Sequence, residues 1–261
     1  MYKHTKSIIK ACEKASVNIS RDLVEINHLQ ASKNLGKFLN STQIRFERNI
    51  AKELSCEASD VTVYLPDGSE KTIQDQYRPS TRSSNCKAVV VGIDNMTNFS
   101  HGIENIAFGL YLEFPDRDKA TAICLPATNT IIFSEDAEEF FSLWQDGMTR
   151  KIKVNQSINI NFPSILCGTD HHNHSVNKYF LKREIHFVSS GSILCDAVRV
   201  LENKLDIAFF DRPNDALLNF ISYMINGAGG ADGFIGNTYV FGKKLLVKSA
   251  IQKASEESHS Q

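Results

Sequence analysis

With 261 residues, 42% hydrophobic and 23% charged, the chain has an ordinary globular composition and enough length to bury a core without staples. Its net charge of −1 excludes a global basic field for nucleic acid. No apolar stretch approaches the ~20 residues that span a bilayer, and no signal-type apolar run follows the start, so a cytoplasmic protein with no membrane contact is expected. The six cysteines are far apart and form no CxxC pair, which fits reduced, buried thiols.

Ile8, Cys12, Ala15, Ile19, Leu23 and Ile26 recur at three- and four-residue steps and predict an amphipathic helix. A loop is expected around Ser32 to Asn40, then a second helix through Ile44, Ile50, Ala51 and Leu54 with Ser41 or Thr42 as its cap. Val61, Val63 and Leu65 alternate as a strand that ends at the turn signal Pro66-Asp67-Gly68. Ala88 to Val91 reads as a buried strand. Further strands are expected at Ile106 to Phe114, Ala120 to Leu125 and Thr130 to Phe133, with a short helix at Glu138 to Trp144 and a strand at Ile152 to Val154. The stretch from Asn161 to Lys178 is polar and irregular. His186 to Val188 resumes the sheet pattern, Ser192 to Leu201 is helical, Asp206 to Phe210 is a strand and Ala216 to Ile225 a helix. Gly227 to Gly236 reads as a helix stop and turn. Strand groups interleaved with helices predict an α/β protein. One domain is expected over 1–261, with halves at 1–155 and 156–255 and a frayed tail at 256–261.

The most informative stretch follows the Ala88–Val91 run: Ile93-Asp94-Asn95-Met96-Thr97-Asn98-Phe99-Ser100-His101-Gly102. It resembles the inositol monophosphatase signature, Asp-Pro-Ile-Asp-Gly-Thr-Thr-Asn-Phe-x-His-Gly, with Val91 at the first Asp, Gly92 at the Pro and Asn95-Met96 at Gly-Thr. Weaker matches follow in the family's order. Asp67 and Gly68 stand at its Gly-Glu-Glu acids and Gln43 at the Asp of Thr-x-Ala-Asp. Gly191 to Ala197 stands at a Gly-Ser helix start, Asp206 at Gly-Arg-x-Asp and Arg212-Pro213-Asn214-Asp215 at Lys-Pro-Trp-Asp. The chain thus resembles a divergent member of the family's bacterial branch. The resemblance implies a layered αβαβα sandwich with mixed sheets.

It also implies Mg2+-dependent hydrolysis of inositol phosphate or a related sugar phosphate, in a homodimer. Such chemistry needs convergent carboxylates that hold divalent cations and lower the pKa of an attacking water. On the resemblance, Asp67, the Ile93 carbonyl, Asp94 and Asp215 are the remaining metal ligands, and Asn95, Met96 and Asp211 face phosphate and substrate. Gln43, Gly68, Val91 and Met96 replace groups of the chemistry. In the family the Asp at Val91 bridges two cations, and without that anion they repel at full strength. The expected Mg2+ affinity is therefore weakened or lost, and a pseudophosphatase serving as a binding or assembly module for a protein partner is the expected function; the alternative is a weakly active phosphomonoesterase. Asp60, Glu70 and Asp75 are the acids that could stand in for Val91. His171, His172 and His174 beside Asp170 read as a solvated loop rather than a metal site.

Overall fold

A computed structural model describes residues 3–30, 32–54, 58, 60–64, 69–74, 86–114, 119–134, 139–144, 147–156, 165–169 and 184–258. The chain divides into two compact units, Met1–Lys151 and Ile152–Gln261.

The first unit opens with two helices, α1 (Lys3–Leu29) and α2 (Leu35–Leu54). The apolar stripe of α1 falls where its spacing predicts: Ile8, Cys12, Ala15, Ile19, Leu23 and Ile26 are all buried. Burying side chains of this size contributes about 1.5–3 kcal/mol each for the larger ones. The two helices are also tied by a buried carboxylate. Asp22 of α1 accepts from the Thr42 hydroxyl at 3.0 Å and from Arg45 at 2.6 Å, both on α2. The second helix begins at Leu35, inside the stretch expected to be a loop. Asn34 donates its N–H to the Ser32 hydroxyl and Phe38 N–H reaches the Asn34 carbonyl, while Leu35, Phe38 and Leu39 lean on the core at helical spacing.

Eight strands follow: β1 (Asp60–Tyr64), β2 (Glu70–Gln74), β3 (Lys87–Asp94), β4 (Ala107–Glu113), β5 (Lys119–Leu125), β6 (Thr130–Ser134), β7 (Phe140–Leu143) and β8 (Thr149–Ile152), with the short helix α3 (Met96–Ser100) after β3. They form one sheet in the order β2-β1-β3-β4-β5-β6-β7-β8, with β1 and β3 parallel and the pairs β1–β2, β3–β4, β4–β5, β5–β6 and β6–β7 antiparallel. Val61, Val63, Ala88, Val90, Phe108, Leu110, Ala122 and Cys124 join the stripes of α1 and α2 in one core, so those helices cover one face of the sheet. The helix expected around Glu138 to Trp144 is a strand: Phe140 and Ser142 are buried and alternate with Phe141 and Leu143, the period-2 pattern of a sheet. Thr149–Ile152 is the eighth strand, and Val154 has already left it to donate its N–H to the Ala228 carbonyl in the second unit.

The second unit holds β9 (Ile165–Thr169), β10 (Ile185–Val188), α4 (Ile193–Leu201), β11 (Ile207–Asp211), α5 (Asp215–Gly227), β12 (Ala231–Ile235), β13 (Thr238–Gly242) and α6 (Lys244–Ser258). The sheet order is β10-β9-β11-β13-β12; β10, β9 and β11 are parallel and the other pairs antiparallel. Ile165, Cys167, Ile207, Phe209 and Val240 pack with Leu246, Val247 and Ala250 of α6. Two expectations change here. The polar 161–178 stretch contains β9, a buried parallel strand too short to stand out among its neighbours. The glycines of 227–236 do stop a helix, but Ala231–Ile235 is a strand, and Gly236 at φ 58° makes its turn into β13. Helix α6 carries the chain to Ser258, past the start of the expected frayed tail. The five cysteines among the described residues are buried and in no disulfide. Among the described residues no helix is long and apolar enough to cross a membrane.

Candidate functional site

The β3–α3 turn is built from the strand outward. Tyr64 of β1 and Gly109 of β4 flank Val91 in register, and pairing with β4 resumes only at Asp94 opposite Ala107. That register shift is a bulge, which re-aims side chains at the end of a strand. Ile93, 1% exposed, goes into the helix-covered core, whereas Asp94 is half-buried. Val91 is 6% exposed and carries no donor or acceptor on its side chain.

Asn95 follows at φ 61°, ψ 72°, a left-handed conformation that glycine takes freely and asparagine better than most other residues. The residue standing where the signature has Gly is therefore compatible with the same backbone. It also adds a contact that Gly lacks: its Oδ1 accepts the Asn98 N–H at 2.8 Å and caps α3. Met96, at the position of the signature Thr, leans against the core of α1 and α2.

The rest of the turn is a hydrogen-bonded lock. Phe99 is 0% exposed. Asn98 donates its side-chain amide to the Asn105 carbonyl at 2.8 Å, and its own carbonyl accepts the His101 and Ile103 N–H groups. His101 Nδ1 lies 2.9 Å from the Thr97 carbonyl, and Gln30, just past the end of α1, donates to the His101 carbonyl at 2.8 Å. Gly102 sits at φ 69°, and a Cβ there would lie 2.3 Å from Asn27 Oδ1 of α1. The motif Thr-Asn-Phe-x-His-Gly thus fastens the end of α1 to the turn, and its side chains act on the backbone of the turn itself.

Gln43 lies on α2 beside this turn. A Cβ on Gly92 would be 3.9 Å from Gln43 Nε2. Gln43 donates to Glu47 Oε1 at 3.0 Å, and Lys71 of β2 donates to Glu47 Oε2 at 2.8 Å. The sequence reading missed Glu47 and Lys71. The signal was present: Phe46, Glu47, Ile50, Ala51 and Leu54 form the buried stripe of α2, so a charged residue falls on an apolar face. Of the three acids considered as stand-ins for Val91, Asp75 and the Asp60 side chain lie outside the described residues, as do Asp67 and Gly68. Glu70 pairs in register with Tyr64, which pairs with Val91. Its carboxylate accepts from Tyr64, whose phenol is held above its ordinary pKa by burial first and then by the Glu70 charge and hydrogen bond. The histidines 171, 172 and 174 also lie outside the described residues.

In the second unit Asp211 ends β11, exposed, and Asp215 begins α5. The cap of α5 is Asn214, whose Oδ1 accepts the Leu217 N–H at 2.9 Å, rather than Asp215. The Asp215 side chain is 83% exposed and pairs with Arg212 at 3.4 Å; Arg212 lies over the Phe234 ring at 5.4 Å. Asp206 has a structural partner: Lys243 pairs with its carboxylate and donates its N–H to the Asp206 carbonyl. Ser192 caps α4, and Asp196, fully buried on that helix, accepts from Arg199 at 2.8 Å. Burial, then the charges of Asp196 and Asp206, hold the Cys167 thiol in its protonated form. Among the described residues no three His, Cys, Asp or Glu side chains gather as a metal-ligand set.

No family model and no curated protein matches the chain by sequence. Solved structures do match it. The extragenic suppressor protein suhB of Bartonella henselae superposes with a TM-score of 0.69 at 18% identity, over 95% of this chain and 97% of that one. Inositol monophosphatase-II of Staphylococcus aureus gives 0.68 at 14%, over 97% and 96%, and an IMPase of Thermotoga maritima gives 0.65 at 18%, over 95% and 96%. The staphylococcal enzyme has also been solved with inositol monophosphate bound, and that structure matches at 0.64 and 14%, over 94% and 93%. Across nearly its whole length, the chain therefore carries the inositol monophosphatase fold.

Proposed function

We propose that this chain is a cytoplasmic pseudophosphatase, an inositol-monophosphatase-like scaffold that binds a ligand or a protein partner without turning over a phosphate ester. The observation that carries the reading is Val91: the buried position where the signature has its bridging acid holds an aliphatic side chain, flanked in register by Tyr64 and Gly109. The donor chemistry around it points the same way. Gln43 is neutral and its amide is turned onto Glu47. Met96 offers no hydroxyl and is packed on the core. Glu70 is engaged by Tyr64. Such a set does not suit Mg2+, a hard cation that favours octahedral oxygen coordination through carboxylates, phosphate and water. Loss of one electrostatic group at a site of this kind costs ~10²–10³ in rate.

The ligand class that best fits the reading is an inositol or sugar phosphate, in keeping with the staphylococcal structure that holds inositol monophosphate. A second reading, a weakly active phosphomonoesterase, is favoured by Asp94 and by an αL backbone at Asn95 that glycine would also take. The two are separated by a phosphatase assay on myo-inositol 1-phosphate with excess Mg2+. The expected result is no release of phosphate above a buffer control. Turnover that disappears in Asp94→Asn overturns the proposal.

A further inference from the structure

No further inference is drawn: the strongest candidate, the side-chain cluster of Cys12, Ser16 and Cys124 between α1 and β5, is buried at all three residues, and nothing in the structure shows what ligand or oxidant would reach it.

Discussion

The β3–α3 turn has two halves that meet different demands. From Thr97 to Gly102 four side chains or positions have a local job: a buried ring, an amide that bridges to Asn105, an imidazole on the Thr97 carbonyl, and a glycine pressed against Asn27. From Val91 to Met96 the side-chain chemistry differs from the signature, and the one left-handed residue stands where the signature has Gly. Asn95 takes the left-handed conformation that Gly would take, Ile93 fills the core, and Val91 and Met96 are packed as apolar residues. Residues that resemble a signature can therefore hold a scaffold together in one half, and that likeness says nothing about the half that would do chemistry.

The contrast makes graded predictions. Phe99→Ala should be the most damaging single change, because a fully buried ring leaves a cavity at the junction of α1 and α3. Truncations of this kind cost about 3–5 kcal/mol, read by urea unfolding. Gly102→Ala comes next, at about 2–3 kcal/mol, from left-handed strain together with a Cβ at 2.3 Å from Asn27 Oδ1. Adding Asn27→Ala should recover the steric part and leave about 1 kcal/mol of conformational strain. If Gly102→Ala proves neutral, the rear half of the turn is not the lock described here.

Much of this was readable from residues alone. The stripe of α1 and the core of β3 follow from periodicity, and the fold followed from the order of weak motifs. What was missed has physical causes. The Phe140–Leu143 strand looked helical because a short apolar run has the same composition in either state, and only its neighbours in the sheet decide. The start of α2 was hidden because Gly36 and two asparagines lower helix propensity locally, while the packing of Leu35, Phe38 and Leu39 overrides it. At the site, sequence could place Gln43 and Val91 in their motif positions but gave no account of Glu47 and Lys71. That pair joins residues 24 apart in the chain, and nothing in a linear pattern marks a contact between a helix and an edge strand.

The front half is probed by putting acid back. Val91→Asp places a carboxylate at a position 6% exposed, between Tyr64 and Gly109. An unpaired buried charge there should cost about 2 kcal/mol of stability at neutral pH, and phosphatase activity should stay at background. Rescue of that loss by Mg2+ in a melting experiment would mean that the other donors still form a metal site, and the two halves would then be less different than described.

The smallest effects belong to Asn95, and they separate conformation from capping. Asn95→Gly removes the bond from Oδ1 to the Asn98 N–H but relieves a non-glycine residue of φ 61°. The lost cap costs about 1 kcal/mol and the relieved strain returns a similar amount, so the net change should fall within about 0.5 kcal/mol of zero. Asn95→Ala loses the cap and keeps a Cβ in the left-handed region, so it should lose about 1–2 kcal/mol by the same urea titration. The ordering Gly near wild type and Ala well below it means that the turn needs a backbone shape first and a cap second. The reverse ordering, with Ala tolerated and Gly not, would show that the αL geometry at Asn95 is not what preserves the turn. The front half would then owe its shape to the bulge in β3 between Val91 and Asp94.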